Sequence, residues 1–524
     1  MQVAKGQAVA LKRDCSYISE PLELFAALSK ERAQCMLLES AEIDSKAGTQ
    51  SILLIDACLR VQCMGQEVTL EPLTPNGQAV IDYLSDKLPI EIHQQRAGSR
   101  LILSYPPLDN RLDQDSRLKA RSVLDLLRSL LNEIKCPDNP QALFLGGAFA
   151  FDLLASVEPL PEVKESDNNC PDYCFYLAES LLIIDHKRRQ SRLMTLVFGG
   201  EGSTERYFEA SRQLSELISQ CQQPTQPLNQ TKGLSTEPEV SISCEDEAFK
   251  QKVETLKQAI VAGEIFQVVP SRCFSIPCPE PLLAYQELKR TNPSPYMFYL
   301  KDREFELFGA SPESAVKFTA DSRTVEMYPI AGTRPRGKSA DGGIDLDLDG
   351  RIELELRLDQ KEQAEHLMLV DLARNDIARI SEPGTRQVKE LLKVDRYSHV
   401  MHLVSRVTGV LRRDLDALHA YQACMNMGTL TGAPKIRATE LIRQTEQQRR
   451  GSYGGAVGYL NGSGDLDSCI VIRSALVRDG IAHVQAGGGV VLDSVPQAEA
   501  DETRHKAAAV LSAIKTSQTQ GASA

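Results

Sequence analysis

Apolar alternation recurs along this chain, but the connections between the alternating runs are uneven in length, and that combination limits the fold more than any other feature. Residues 51 to 73, "SILLIDACLRVQCMGQEVTLEPL", alternate as a half-buried strand pair would, "QCMLLES" at 34 to 40 is strand-like, and "CFYLAESLLIIDHKRRQSRLMTLVF" at 174 to 198 reads as an extended pair. Helical period appears in "SVLDLLRSLLNEI" and in "EAFKQKVETLKQAIVAG", which ends at Gly263 and is followed by strand-like "IFQVVPSRCFSI". The connections are too variable for a strict βαβ order, and no internal repeat is visible. The expectation is an α+β fold with mixed, largely antiparallel sheets.

The division expected along the chain is residues 1 to 220, a linker at 221 to 244, a second region at 245 to 515 and a tail at 516 to 524. The linker rests on a stretch rich in Gln, Pro, Thr and Ser, "QCQQPTQPLNQTKGLSTEPEVSIS". The 524 residues carry a formal charge of -12, which argues against nucleic acid or an anionic membrane as the main partner. The N-terminus lacks an apolar run with a cleavage site, and nowhere do about 18 apolar residues run uninterrupted, so a cytoplasmic protein is expected. Thirteen scattered cysteines with no CxxC pair fit reduced, mostly buried thiols and neither a disulfide framework nor a zinc knuckle.

Chemistry concentrates in a few places. In "QKEQAEHLMLVDLARND", residues 360 to 376, Glu362 and Glu365 stand one helical turn apart and repel unless water or a cation intervenes. The pattern returns in "DSVPQAEADETRHKAAAVLSAI", where Ser494 with Gln497 resembles a capping box, Pro496 occupies the first turn, and Glu499 and Glu502 repeat the spacing. Four carboxylates suit a hard cation such as Mg²⁺, although acidic pairs on helices commonly face solvent, and the sequence does not show that the pairs meet. The arginines of "YPIAGTRPRG", residues 328 to 337, could fork onto an acidic substrate or simply belong to a surface turn. "QAGGGVVLDS", 485 to 494, could offer bare N–H groups to an anion, but it matches neither GxGxxG nor a P-loop. His402, three residues after His399, reads as a core histidine more readily than as a base, and Glu313 follows a Ser-Pro turn, where carboxylates mostly face solvent.

Taken in order, "GEIFQVVPS", "NPSPYMF", "GASPES", "PIAGTRPRG", "EHLMLVDLARND", "YSHVMHLVSRV", "GTLTGAPKIRA", "GSYGGAVGY", "CIVIRSA" and "QAEADET" resemble the chorismate-utilising enzymes, and within them the branch whose product is anthranilate. The resemblance spans residues 245 to 515, and "LLESAEIDSK" extends it to the N-terminal part. It implies antiparallel sheets packed as a sandwich with surrounding helices, the chorismate-binding fold. It also implies a lyase, the large subunit of a heterotetramer of two large and two small subunits. Such an enzyme converts chorismate and ammonia to anthranilate and pyruvate, the first step of L-tryptophan biosynthesis from chorismate.

Carried over residue by residue, the resemblance implies Mg²⁺ on Glu365 and Glu502, with Glu362 and Glu499 further out. It implies substrate contacts from Gly332, Thr333, Thr429, Tyr453, Arg473 and the backbone of Gly487, Gly488 and Gly489. Glu313 would be the general acid for the departing C4 hydroxyl, and His402 would abstract a proton or orient the site. Feedback inhibition by L-tryptophan would use Glu39, Ser40, Pro295, Tyr296 and Met297. No Cys-His-Glu glutaminase signature is apparent, so ammonia would come from a separate glutamine amidotransferase subunit. Ala331 stands where aminodeoxychorismate synthases carry a nucleophilic lysine, and Gln267 where isochorismate and salicylate synthases carry a water-activating lysine; both favour ammonia as the attacking species. Gly488 departs from the family, which has alanine there.

Overall fold

The alternating run at 51 to 64 becomes the strand Gln50–Met64, the spine of the sheet in this computed structural model. It pairs antiparallel with Cys35–Glu39, Glu67–Pro72 and Tyr173–Asp185. The structure describes residues 2–40, 50–109, 111–224, 227–228, 238–339, 342–397 and 400–519. The extended pair of the sequence is the hairpin of Tyr173–Asp185 with Gln190–Phe198. The helical periods become Asp125–Glu133 and Asp246–Val261, the latter closed by Gly263 at φ 76°. The strand-like run after it divides into Gln267–Val268 and Ser271–Pro277.

Every ladder between these and the other described strands is antiparallel, and apart from the short pair Gln267–Val268 with Gly432–Ala433 they form one network whose ladders close on themselves. The two layers of the expected sandwich are therefore parts of one continuous sheet. Period two explains how it is buried on both faces. Leu53 and Ile55 enter one apolar cluster and Leu54 the other; Met297 and Tyr299 oppose Phe298 and Leu300; Ala475 and Val477 oppose Leu476. One cluster includes Ala284, Tyr285 and Leu288 of the helix Pro281–Thr291 and Ala507, Val510 and Ile514 of the helix Pro496–Thr519, so these helices cover that face.

The ladders cross from the N-terminal region to the C-terminal one. Cys35–Glu39 pairs with Tyr296–Lys301, and Phe144–Phe149 pairs with Ala456–Asn461. Much of the expected linker, residues 225–226 and 229–237, lies outside the described residues, as do residues 41–46 of "LLESAEIDSK", His399 and the last five positions of the expected tail. Within the linker range, Ser241–Ile242 adds a short strand against Ser271–Pro277, and the final helix continues to Thr519. All thirteen cysteines are free, and most are buried. Among the described residues no helix is long and apolar enough to cross a membrane.

Candidate active site

Both acidic pairs are on helices, as their spacing predicts. The first helix is Gln360–Ala378, capped by the Asp359 carboxylate, which accepts from the N–H groups of Lys361 and Glu362. The second starts at Pro496, but the expected capping box is absent. The Ser494 hydroxyl accepts from Val491 N–H at 3.0 Å, and the Gln497 amide donates to Asp501 at 3.1 Å. Those local partners satisfy both side chains, so the proline and the turn before it set the start.

The two helices bring Glu362, Glu365, Glu499 and Glu502 to the wall of one cavity of about 640 Å³. Burial first, and then the charges of Glu362 and Glu502, raise the Glu365 pKa, and burial raises that of Glu499. Basic side chains currently answer most of this charge. Arg334 donates to Glu362 at 2.7 Å, Lys506 meets Glu502 at 2.6 Å, and Lys361 stands 3.7 Å from Glu365. One carboxylate oxygen, Glu499 Oε2, is buried with no hydrogen-bond partner among the described residues. No three acidic or imidazole groups are already gathered at coordinating distance among the described residues. The donor set still fits a hard cation: four carboxylates from two helices on the wall of one cavity, with a buried oxygen that a cation would satisfy.

Across the same cavity, Glu313 lies between the strands Glu306–Ser311 and Ser314–Thr319 and is buried, contrary to the expectation for a turn carboxylate. The Thr429 hydroxyl donates to its Oε1 at 3.2 Å. Burial outweighs that bond and pushes the Glu313 pKa up to about 8, so the carboxyl is largely protonated at neutral pH. His402, on the strand Val400–Val410, moves the other way: burial and then the Arg473 charge bring it down to about 4, leaving a neutral imidazole. Its Nδ1 lies 3.0 Å from Thr333 Oγ1. A protonated carboxylic acid and a neutral base thus share one chamber, the separation of pKa values that acid and base work requires.

Anion-holding groups complete the wall. Arg473 opens on the cavity from a left-handed backbone position, φ 50°, and no carboxylate forms a salt bridge with it among the described residues. The Tyr453 hydroxyl is engaged by the backbone of Gly487, and burial raises its pKa to about 12, keeping it a hydrogen-bond donor. Gly332 takes φ 73°, where a side chain is strained, and a Cβ there would crowd Glu362 Oε2 at 3.1 Å and Leu356 at 3.2 Å. Gly487 and Gly489 line the cavity, but Gly488 does not, and its N–H is already given to the Pro270 carbonyl at 3.2 Å. A Cβ at 488 would lie 2.6 Å from Glu499 Oε2, the end of a flexible side chain that would have to shift. Ala331 and Gln267, the positions that separate relatives in the sequence, both face this chamber.

The arginines of "PIAGTRPRG" do not reach for a substrate. Arg334 binds Glu362 and Asp359, and Arg336 binds Asp349 through two bonds of 2.8 and 2.9 Å. His366 is a neutral core histidine, 2.7 Å from Ser405 Oγ and lowered to about 4 by burial. Lys506 escaped the sequence reading although it lines the cavity, donates to the Gly487 carbonyl at 2.9 Å and sits one turn beyond Glu502, a spacing that could have exposed it.

A second constellation adjoins the part of the cavity lined by Leu288, Asn292, Pro293 and Ser294, although Glu39, Ser40, Pro295, Tyr296 and Met297 do not themselves line it. Glu39 and Met297 are direct partners across the ladder of Cys35–Glu39 with Tyr296–Lys301, which brings Ser40 and Pro295 to the adjoining strand ends. Glu39 is buried and already held by the Tyr285 hydroxyl at 2.9 Å and the Lys289 ammonium at 2.7 Å. The Tyr296 hydroxyl donates to Asp467 at 3.3 Å.

Residues 92–512 match the family model described as chorismate binding enzyme. Among similar proteins, anthranilate synthase component 1 of Vibrio cholerae is 57% identical over 509 residues, covering 96% of each chain. Anthranilate synthase component 1 of Escherichia coli is 54% identical over 519 residues, covering 98% of each. The solved anthranilate synthase component I of Streptococcus pneumoniae superposes with a TM-score of 0.70 at 28% identity, over 90% of this chain and 94% of that one. The menaquinone-specific isochorismate synthase of Escherichia coli gives 0.68 at 17% identity, over 98% and 95%, a likeness of fold alone. With the acidic helices, the buried acid and the free arginine all in one chamber, these matches agree with the motif order: the chain belongs to the chorismate-binding enzymes, in the branch named anthranilate synthase component 1.

Proposed function

We propose that this chain converts chorismate and ammonia to anthranilate and pyruvate, a lyase reaction and the first step toward L-tryptophan. The observation that carries the reading is one chamber lined by buried Glu313 and buried His402 together with Arg473 and the four helix carboxylates, burial raising the pKa of the acid and lowering that of the base. Glu365 and Glu502 would hold Mg²⁺ directly, with Glu362 and Glu499 further out, and the ion would neutralise the ring carboxylate of chorismate and draw electron density from the ring diene. Arg473 and Tyr453 hold the enolpyruvyl side, the arginine forming no salt bridge among the described residues although the Glu502 charge acts on it.

Ammonia forms a bond to ring carbon 2, the two ring double bonds shift, and the C4–O bond breaks. The Glu313 proton lets that oxygen leave as water. The product, aminodeoxyisochorismate, then loses its C2 proton while the C3–O bond breaks. Enolpyruvate departs as pyruvate, and the ring becomes aromatic. Neutral His402 is the group able to accept the C2 proton or to orient the ring for its loss.

Ammonia is supplied by a glutamine amidotransferase partner, in keeping with the "component 1" in the relatives' names, and the assembly is a heterotetramer. L-tryptophan inhibits at Glu39, Ser40, Pro295, Tyr296 and Met297, its ammonium displacing Lys289 from Glu39. The reading is tested with purified protein, chorismate, Mg²⁺ and an ammonium salt. Anthranilate fluorescence with the matching product mass supports it; 4-amino-4-deoxychorismate, or unconsumed chorismate, contradicts it.

A further inference from the structure

The cavity wall contains an aromatic residue with no part in the reaction scheme so far. Tyr397 follows the strand Gln387–Arg396 and lines the chamber, its ring edge-to-face with the His402 imidazole at 5.2 Å between centroids and 72° between planes. The Tyr397 backbone is tied at both ends: its N–H donates to the Val400 carbonyl at 2.8 Å, and its own carbonyl accepts from Arg336 at 2.6 Å. Arg336 is itself locked onto the buried Asp349 by two bonds, and the Gly337 N–H donates to the same carboxylate at 2.8 Å. The second arginine of "PIAGTRPRG" is therefore a brace that ends on Tyr397.

His402 has need of such a brace. The Thr333 hydroxyl can donate or accept, so its contact with Nδ1 does not by itself fix which ring nitrogen carries the proton. A backbone hydrogen bond at Gly332 adds a second polar contact, but the terminal torsion of a histidine is broad and nearly two-fold, so the plane of the ring is set by what packs against it. An aromatic ring packed edge-to-face restricts that plane, because the quadrupole of the tyrosine favours one arrangement of the pair.

We propose that Tyr397, held by Arg336 and Asp349, is a positioning residue for His402, acting through its ring and not its hydroxyl. The proposal rests on the role given to His402 above. The test compares Tyr397→Leu, Tyr397→Phe and His402→Ala in the full chain, with chorismate, Mg²⁺ and an ammonium salt. Tyr397→Leu is expected to lower kcat about tenfold to a hundredfold, as a small misplacement of a reacting group does, with KM for chorismate nearly unchanged. Tyr397→Phe restores most of the rate. Long-range ¹H–¹⁵N spectra of labelled protein should show one His402 tautomer in the wild type and a mixed or broadened signal in Tyr397→Leu. Should Tyr397→Leu fail to fold, Arg336→Lys, which loses the fork onto Asp349, gives the same kcat-specific loss more weakly.

The proposal is overturned if Tyr397→Leu keeps the wild-type kcat, if the loss falls on KM, or if the phenylalanine variant is as slow as the leucine one. An active His402→Ala overturns the role of His402 itself. An inactive His402→Ala beside a fully active Tyr397→Leu overturns only the part assigned to Tyr397.

Discussion

Glu313 and His402 share a chamber, yet burial moves them in opposite senses because it disfavours the charged form of each. The acid form of Glu313 is lost as pH rises through about 8, so kcat at saturating chorismate should fall on that side; the neutral form of His402 persists down to about 4 and sets no limit near neutrality. Glu313→Gln should lower kcat by about a hundredfold to ten-thousandfold and abolish the alkaline limb, the range expected for a positioned acid. An unchanged limb would assign that ionisation elsewhere. At the other site, Glu39→Gln should raise the tryptophan concentration for half-inhibition at least about tenfold, the worth of one lost charge-assisted bond of roughly 1.5 kcal/mol, with uninhibited activity intact. Residue identities were legible through motif order. Burial was not: a Ser-Pro-Glu turn ordinarily faces water, and only the burial of Glu313, which outweighs the Thr429 bond, makes it an acid.

Two helices from distant parts of the chain supply the acidic wall. Their positions were readable from period, proline and the first-turn acid, but their meeting was not, because the chain between them builds much of the sheet that brings them together. The capping box misled for a local reason: Ser494 and Gln497 each found a nearer partner. Arg334, Lys361 and Lys506 now shield three of the four carboxylates, so a bound cation should release these side chains as it takes their place. Mg²⁺ should therefore raise the melting temperature, by about 2.7 kcal/mol of stability at a hundred times Kd, and Glu499→Gln should weaken that shift. A melting temperature indifferent to Mg²⁺ would remove the cation from the account.

For the whole molecule, uneven connections between alternating runs were enough to foresee an antiparallel α+β fold. Which strand pairs with which was hidden, since period two tells which face a residue takes and not which partner its backbone finds. Pairing of Cys35–Glu39 with Tyr296–Lys301 and of Phe144–Phe149 with Ala456–Asn461 makes one sheet of both regions. Far-ultraviolet and tyrosine near-ultraviolet signals should accordingly lose structure in a single coincident denaturant transition; two separated transitions would show that the regions fold independently. That one sheet also sets the catalytic claim, because it holds Glu313 and His402 on opposite duties around one substrate. Rapid-quench analysis of Glu313→Gln and His402→Ala tests this division most directly. The account predicts that Glu313→Gln fails to form aminodeoxyisochorismate, whereas His402→Ala forms it and stalls before pyruvate is released. Equal losses of both steps in both variants would contradict it.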